Sequence, residues 1–432
     1  MSHIDETALH GSLRDPVMGS LNFLNEITAR YPDAISFAPG APNLIHLDDL
    51  DVTRCIDLFV NHLRTDCGFT AKRARRLLYE YGPSRGIIND LVARALRADF
   101  DIGVCADDIV ITVGAQEAML VAVRALCRPG TDLLAITNPC FVGITGAARL
   151  LDVGIVPVDE VSTGLDLDYL VAACRRARAE GRRIRAFYVA PDFANPSGTV
   201  LDLATRKELL DIAEREDLFL LEDNAYGFTA QPGAELAPLK AMDENRRVLY
   251  LGTFAKVCLP GARVGFVVAD QVVRDAAGST GRLADHLATL KCFVTVNTSP
   301  ISQAIIGGML LDHRGSLAEL GRHRSEVYRR NLVLLVRALD RTLPANTVPP
   351  RVTWNRPDGG FFVRMRLPIR VDAALMERSA AEYGVLWTPM SQFYLDAKGD
   401  SDLRLSCSYL DPDQIEEGTA RLTGFLAGVG CL

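Results

Sequence analysis

Short β-branched and apolar runs alternate with helical patterns between residues 107 and 270, and this alternation limits the possible folds more than any other feature of the chain. The runs are DIVITVG, DLLAIT, IRAFYVAP, LFLLED, VLYLGT and RVGFVVA, and the helical patterns between them include QEAMLVAVRALC, ITGAARLL and TRKELLDIAERE. Strands separated by helices form βαβ units, in which helices cover both faces of a mainly parallel sheet. The sequence therefore predicts a large α/β domain.

The pattern changes after this region. A helical stretch from about Ser302 to Asp340 is followed by RVTWNRPDGGFFVRMRL, GVLWTPMSQFY and DLRLSCSYL, with a helix near residues 373–383. This succession is typical of a smaller α+β domain. The N-terminal residues, which include ISFAPGAPN, are expected to pack across both domains. We therefore predict an N-terminal segment over the ligand site (1–55), a large α/β domain (56–315) and a small α+β domain (316–432).

Composition argues against several classes of protein. The chain has 432 residues, 48% of them hydrophobic, and a net charge of −7, which gives no support to nucleic-acid binding. Its ten cysteines show neither a CxxC pair nor the Cys/His spacing of a zinc site, so we predict no metal and a reducing environment. The N-terminus lacks the pattern of a signal peptide, and stretches such as AIIGGMLL are too short to span a membrane. We expect a cytoplasmic protein without nucleic-acid or membrane partners.

Polar residues, glycines and prolines follow several of the predicted strands, in the turns VGAQ, NPC, PDFANPSG, EDNAYG and GTFAK. Ligands of open α/β sheets bind at the edge formed by the carboxyl ends of the strands. Gly114, Ala115 and Gln116 lie where a strand gives way to a helix, so their backbone N–H groups could bind a phosphate. In isolation such a glycine is more often structural, and Asn195 before a proline is more often part of a turn.

The turns EDNAYG and GTFAK carry ionisable groups next to apolar runs. Glu222 and Asp223 follow an apolar strand directly, and side-chain alternation lets only one of them face the cleft. A buried carboxylate needs a cationic partner, which the protonated nitrogen of a pyridine ring would supply. Lys256 lies between apolar runs and could form a Schiff base, while Arg263 could contact a phosphate. An acid for a ring nitrogen, a lysine for an aldehyde and donors for a phosphate together indicate pyridoxal 5′-phosphate.

The order and spacing of these motifs resemble those of the fold-type-I, class I/II aminotransferases, from about Ser36 to Leu410. The resemblance implies that Lys256 is the lysine that bonds to the cofactor and that Asp223 keeps the pyridine nitrogen protonated. It also implies a homodimer with sites at the interface. The other cofactor contacts that it implies are Tyr226 and Asn195 at the ring oxygen, Phe141 stacked on the ring, Ala115, Gln116, Thr253 and Arg263 at the phosphate, and Tyr81 from the neighbouring subunit.

On the substrate side, the resemblance implies that Arg404 in DLRLSCS binds the α-carboxylate, with Asn43 and Asn195 nearby. The segment LRDPVMGSLNFLNEITARYPDAISFAPGAPN is similar to the branch that contains 2-aminoadipate and kynurenine aminotransferases and the 3,5-dihydroxyphenylglycine transaminase. In that branch the N-terminal segment tends to cover the substrate pocket, so Asn22 and Phe23 are candidates for contact with the substrate side chain. The same segment would also suit an ordinary surface helix.

The implied activity is exchange of an amino group between an L-amino acid, with an aromatic or long side chain favoured, and a 2-oxo acid by a ping-pong mechanism. It would serve general metabolism or a specialised pathway such as antibiotic biosynthesis. The main alternative is another reaction with the same cofactor, such as decarboxylation, elimination or oxidation of an amino acid. A sensing protein is less favoured because no basic helix-turn-helix segment precedes Asp33, and a nucleotide-binding protein because no GxGxxG or GxxxxGK[ST] follows a strand.

Overall fold

The computed structural model of the protein describes residues 3–15, 18–19, 26–43, 47–161, 164–343 and 352–432. The strands are β1 Ile35–Ser36, β2 Ile109–Thr112, β3 Asp132–Asn138, β4 Gly154–Val161, β5 Gly164–Leu165, β6 Arg183–Val189, β7 Phe219–Asp223, β8 Val248–Thr253, β9 Gly265–Val268, β10 Val272–Arg274, β11 Thr280–Arg282, β12 Thr353–Trp354, β13 Phe362–Arg366, β14 Val385–Leu386, β15 Thr388–Pro389 and β16 Asp402–Ser406. The α-helices are Val52–Thr65, Ala71–Arg76, Asn89–Phe100, Gly114–Leu126, Val142–Leu150, Leu167–Ala179, Leu203–Arg215, Leu239–Met242, Leu283–Val294, Pro300–Asp312, Leu317–Thr342, Ala373–Tyr383 and Pro412–Gly428.

An eight-stranded sheet forms the centre of the large domain, in the order β2-β9-β8-β7-β6-β3-β4-β5. The strands β8, β7, β6, β3 and β4 are parallel, whereas β9 is antiparallel to β2 and β8, and β5 is antiparallel to β4. The apolar runs between residues 107 and 270 are all strands of this sheet, which confirms the predicted α/β fold. The sequence pattern did not identify β4, because its residues GIVPVDEV include a proline and two acids that weaken the apolar signal.

Helices cover both faces of this sheet. Neighbouring side chains on β3 point to opposite faces, so Leu134 packs in one core cluster with Met119, while Leu133 packs in another with Leu209. Burying a leucine side chain completely contributes about 1.5–3 kcal/mol relative to leaving it exposed. Because the sheet is packed on both sides, its carboxyl edge is a rigid support for functional groups.

The small domain contains the antiparallel sheet β12-β13-β16-β15. The helices Leu317–Thr342, Ala373–Tyr383 and Pro412–Gly428 contribute apolar side chains to the core beside this sheet, in agreement with the predicted α+β domain. The helical stretch predicted from Ser302 to Asp340 consists of two helices, since the chain turns at Gly315 with a φ of +74°. Glycine adopts this left-handed conformation without steric strain.

The N-terminal residues contact both domains. Ile35 of β1 pairs in parallel with Val385 of β14, while the helix Val52–Thr65 packs on a helix of the large domain. These two helices approach closely, because a Cβ on Gly308 would lie 1.9 Å from the carbonyl oxygen of Cys55. The domain boundary predicted at residue 55 lies inside the first of these helices, and the boundary at residue 315 lies in the turn before Leu317–Thr342.

Neither a membrane span nor a metal cluster is found in the part of the chain that the structure describes. Within those ranges, no helix is both long enough and apolar enough to cross a lipid bilayer. In the same ranges, no three His, Cys, Asp or Glu side chains are grouped so that they could hold a metal ion.

Candidate active site

The carboxyl ends of β6, β7 and β8 border a cavity of about 400 Å³. The N-terminal segment and β16 of the small domain close its other sides. The predicted site residues that line this cavity are Ala115, Gln116, Phe141, Asn195, Asp223, Tyr226, Thr253, Lys256, Arg263 and Arg404. The fold therefore brings together most of the residues that the sequence motifs indicated.

Asp223 ends β7 and faces the cavity, while Glu222 points to the other side of the sheet, where two backbone N–H groups bind its carboxylate at 2.8 Å. Asp223 Oδ2 accepts a hydrogen bond of 2.5 Å from the Tyr188 hydroxyl. Its Oδ1 is buried and has no hydrogen-bond partner among the described residues. Burial raises the pKa of Asp223 to about 6, against the lowering effects of the Tyr188 bond and the charge of Lys256. An unpaired carboxylate oxygen in this place suits a cationic ligand atom.

Lys256 lies in the turn after β8, and its Nζ donates a hydrogen bond of 2.5 Å to the carbonyl oxygen of Gly40. Burial, reinforced by the positive charges of Arg404 and Arg263, lowers the pKa of this amine from 10.5 to about 8, while Asp223 acts in the opposite direction. Near pH 8 about half of the amine is therefore neutral, which is the form that attacks an aldehyde.

The turn between β2 and the helix Gly114–Leu126 leaves little room for protein side chains. Gly114 has a φ of +71°, and a Cβ on it would lie 2.5 Å from Arg263 Nη2. Gly265 on the adjacent strand β9 is restricted in the same way, because its Cβ would lie 2.8 Å from Ala115 N. Backbone N–H groups at a helix N-terminus and a nearby guanidinium group together form a suitable binding site for a phosphate.

Three further predicted residues line the cavity beside this turn. Thr253 ends β8, and its Oγ1 accepts a hydrogen bond of 3.1 Å from the backbone N–H of Ala255. Gln116 Nε2 donates a hydrogen bond of 2.8 Å to the carbonyl oxygen of Gly143, so its side-chain amide is already bonded to the protein. Phe141 precedes the next helix and lines the cavity. Stacking on a planar ligand remains available to a phenylalanine at this position.

Arg404 enters the cavity from β16 of the small domain. Its Nη1 donates to Asn195 Oδ1 and its Nη2 to the carbonyl oxygen of Ala38, each over 2.6 Å. The guanidinium carbon lies 4.4 Å from the centre of the Phe362 ring and 4.9 Å from that of Phe393. Burial lowers the pKa of Arg404 to about 10, so the group stays protonated at neutral pH. A guanidinium held in this way is well suited to bind a carboxylate.

Tyr226 and Asn195 are neighbours in the cavity and share a hydrogen bond, although burial raises the pKa of the Tyr226 phenol above its ordinary value of 10.0. The phenol is therefore neutral and can donate a hydrogen bond to a ligand oxygen. Its ring packs edge-on against Phe361 and Phe362, with ring centres 5.0 and 5.5 Å away. These contacts hold the hydroxyl in place.

Two of the predicted residues that the structure describes, Tyr81 and Asn43, do not line the cavity. Tyr81 is 89% exposed in the single chain and is not part of the lining. Asn43 follows Pro42, which lines the cavity, and its Nδ2 donates to the carbonyl oxygen of Tyr409 at 3.3 Å. Asn22 and Phe23 lie outside the described residues.

The sequence motifs missed Tyr188, Phe362 and Phe393. Tyr188 bonds to Asp223, and the two phenylalanines enclose Arg404. No motif marks these positions, since each is an aromatic residue in an otherwise apolar stretch. The alternation of side chains along a strand was one signal for Tyr188. This residue lies near the end of β6, which pairs with β7, so its side chain could be expected near Asp223.

The described residues fit pyridoxal 5′-phosphate. The unpaired Asp223 Oδ1 offers an acceptor for a protonated ring nitrogen, and Lys256 offers an amine of lowered pKa for an aldehyde. The Arg263 guanidinium packs directly against Gly114 at the start of the helix Gly114–Leu126, and this cation beside backbone N–H groups suits a phosphate. The cavity volume of about 400 Å³ is within the range of small-molecule sites.

Comparison with known proteins agrees with this geometry. The family profile described as "Aminotransferase class I and II" matches residues 75–422. The chain is 46% identical to the (S)-3,5-dihydroxyphenylglycine transaminase of Amycolatopsis orientalis, over 97% of this chain and 93% of that protein.

Solved structures agree as well. The α-aminoadipate aminotransferase of Thermus thermophilus, solved with N-(5′-phosphopyridoxyl)-L-leucine, superposes with a TM-score of 0.76 at 28% identity, covering 97% of this chain and 96% of that one. The kynurenine aminotransferase of Pyrococcus horikoshii shares the fold, with a TM-score of 0.81 at 24% identity and 98% coverage of both chains. The chain therefore belongs to the class I and II aminotransferases, fold-type-I enzymes whose cofactor is pyridoxal 5′-phosphate.

Proposed function

We propose that this aminotransferase acts on amino acids with an aromatic or long uncharged side chain, and that Arg404 binds their α-carboxylate. The charged residues in the described part of the lining are Asp223, Lys256, Arg263 and Arg404. The first three suit the ring nitrogen, aldehyde and phosphate of the cofactor, so Arg404 is the charged group that remains for the substrate. This single remaining cation carries the proposal.

The rest of the lining supports an uncharged substrate side chain. Met119, Phe141, Pro260 and Phe393 contribute apolar surface to the cavity, and aromatic rings favour stacked or edge-on contact with another ring. Among the described lining residues a second carboxylate would find no cationic partner, and its burial would cost several kcal/mol. The relative from Amycolatopsis orientalis is named for an amino acid with an aromatic ring, which supports an aromatic substrate. A place in specialised amino-acid biosynthesis, such as that of an antibiotic, is part of the same proposal.

The proposed roles of the protein groups follow from their positions. When bound, pyridoxal 5′-phosphate supplies an aldehyde and a protonated ring that accepts the electron pair left at Cα of the amino acid. Asp223 Oδ1 would hold the proton on the ring nitrogen, and Tyr226 with Asn195 would bond the ring oxygen. Lys256 Nζ, freed when the amino acid takes its place, would remove the proton from Cα. The first 2-oxo acid would leave before the second one binds at the same groups, with the amino group kept on the enzyme in between, which gives ping-pong kinetics.

A homodimer would complete the site. Tyr81 is exposed in one chain, and Phe293 and Ile301 are also exposed, by 89% and 45%. Tyr81 lies near Ile301 in the fold, because a Cβ on Gly82, the next residue after Tyr81, would lie 3.7 Å from Pro300. We propose that a second copy covers this apolar surface and receives Tyr81 at its cofactor phosphate.

We retain the cytoplasm as the proposed location and the domains 1–55, 56–315 and 316–432 as the proposed division.

Steady-state kinetics with a panel of amino donors tests the substrate proposal. We expect kcat/KM for phenylalanine, tyrosine and phenylglycine to exceed that for aspartate and 2-aminoadipate by at least about 100-fold, because the second carboxylate would be desolvated without a partner. A higher kcat/KM for aspartate or 2-aminoadipate would contradict the proposed substrate class and leave the assignment to the aminotransferase family intact.

A further inference from the structure

Tyr188 and Asp223 lie on neighbouring strands and point to the same face of the sheet. Tyr188 on β6 pairs with Leu221 on β7, two residues before Asp223, and side chains two residues apart share a face. The Tyr188 hydroxyl donates to Asp223 Oδ2 over 2.5 Å, and the two residues are only 1% and 7% exposed. The contact is therefore a hydrogen bond to a carboxylate in a region that excludes water.

This bond places the two carboxylate oxygens of Asp223 in different surroundings. Oδ2 is occupied by Tyr188, whereas the buried Oδ1 has no partner in the described part of the chain. Rotation of the carboxylate about its bond to Cβ would break the Tyr188 bond, so the bond fixes which oxygen is free. The free oxygen is the one available to the ring nitrogen of the cofactor.

The bond also affects the protonation of Asp223. In the described part of the chain, the titratable groups near this carboxylate are Tyr188, Lys256 and Tyr226, with Cys140 close to Tyr188 and the neutral phenol of Tyr250 on the other face of the sheet. Burial raises the pKa of Asp223 to about 6, while the Tyr188 bond and Lys256 lower it. Burial raises the pKa of the Tyr188 phenol well above 10.0, so this group remains a donor throughout the working pH range. Loss of the hydroxyl would therefore raise the pKa of Asp223.

We propose that Tyr188 is a positioning residue for transamination, which holds Asp223 Oδ2 so that Oδ1 faces the pyridine nitrogen and which keeps the carboxylate ionised. Tyr188 acts through Asp223 and needs no contact with the reacting atoms. Its loss should weaken cofactor binding and shift the pH range in which the cofactor binds.

The variant Tyr188→Phe removes the hydroxyl and keeps the ring that fills the core. The matched control is Tyr250→Phe, because Tyr250 pairs with Glu222 and points to the opposite face of the sheet from Asp223. The dissociation constant of pyridoxal 5′-phosphate from each apoprotein can be measured by fluorescence quenching between about pH 5 and pH 9, which spans the titration of a buried carboxylate. Thermal unfolding of each variant reports whether it is folded.

We expect Tyr188→Phe to weaken cofactor binding about tenfold near neutral pH, since a hydrogen bond to a charged group has an effect of this size. The acid limb of the binding profile should move up by about one pH unit, because the carboxylate becomes easier to protonate. The control variant Tyr250→Phe should leave the dissociation constant and the acid limb unchanged.

A double-mutant cycle separates positioning from packing. In the background Asp223→Asn the carboxylate charge is absent, so adding Tyr188→Phe should change the dissociation constant by less than about twofold. The proposal is overturned if Tyr188→Phe alone leaves both cofactor affinity and the acid limb unchanged. It is also overturned if the loss is equal with Asp223 and with Asn at that position, because Tyr188 would then act through packing alone.

Discussion

Lys256 has an amine that becomes neutral at a lower pH than that of an ordinary lysine, because burial and two arginines lower its pKa from 10.5 to about 8. Only the neutral amine attacks an aldehyde. We therefore expect the rate at which the apoprotein captures pyridoxal 5′-phosphate to rise with pH and to level off above about 8. Stopped-flow absorbance of the apoprotein mixed with the cofactor measures this rate.

An exposed lysine in a short peptide is the control for that measurement, and its rate should keep rising to about pH 10.5. A midpoint near 10.5 for the protein would show that Lys256 is solvated.

The lowered pKa of Lys256 also affects the stability of the apoprotein. Because the pKa of the buried amine is depressed, the apoprotein should lose stability as the pH falls from 10.5 towards 8.

Arg404 offers a second test at the level of single residues. Its Nη1 and Nη2 are held by Asn195 and Ala38, and a lysine cannot reproduce this planar arrangement. Arg404→Lys should raise the KM for the amino acid by about 10- to 100-fold, because two hydrogen bonds to a carboxylate are weakened. The control Arg366→Lys alters an arginine whose side chain is 61% exposed and should leave KM unchanged. Equal KM values for the two variants would remove Arg404 from substrate binding.

The turn before the helix Gly114–Leu126 can be tested with a pair of glycines. Gly114 and Gly130 have φ values of +71° and +79°, but only at Gly114 does a Cβ meet another group, Arg263 Nη2 at 2.5 Å. Substitution by alanine should destabilise the fold by about 1 kcal/mol in both variants, since alanine is strained at positive φ. Only Gly114→Ala should weaken cofactor binding, measured by fluorescence quenching. Similar cofactor affinity in the two variants would place the phosphate elsewhere.

The same helix is anchored by a buried ion pair. Glu117 accepts hydrogen bonds from Lys291 Nζ at 2.9 Å and from the backbone N–H of Val113 at 2.6 Å. Lys291→Met would leave Glu117 buried without its cation, so we expect a loss of about 3–5 kcal/mol in the free energy of unfolding. Urea denaturation measures it. Glu417→Gln, which breaks an exposed pair with Arg421, should change the free energy by at most about 0.5 kcal/mol.

The secondary structure of the large domain follows from sequence because its strands are short apolar runs between helices. The strand β4 could not be recognised in this way, since Pro157 and two acids interrupt the apolar pattern. The antiparallel direction of β9 also could not be read from its composition, because strand direction depends on the connections between distant segments.

The candidate site was predictable where a residue type has few other uses. Lys256 lies between apolar runs, where a lysine without a partner is rare, and Asp223 ends a buried strand. Tyr188 and Phe393 carry no such signal, because buried aromatic residues are common in any core. Their roles depend on contacts between strands and between domains, and only the folded structure shows these contacts.

The dimer is the prediction that belongs to the whole molecule. Mixing Tyr81→Ala with Lys256→Ala and allowing subunits to exchange should produce hybrid dimers with one site that contains both native residues. We expect activity that neither variant has alone, because Tyr81 of one chain would serve the site of the other. Absence of activity in a mixture shown by sedimentation to contain exchanged dimers would mean that Tyr81 does not cross the interface.

The visible absorption of the purified holoenzyme tests the central claim most directly. An aromatic amino acid added without a 2-oxo acid should discharge the band of the lysine-bound cofactor, and a 2-oxo acid should restore it. Lys256→Ala should not form that band at all. A band that no amino acid discharges, or a discharge that consumes oxygen and is not reversed by a 2-oxo acid, would contradict transamination by the residues assigned to this site.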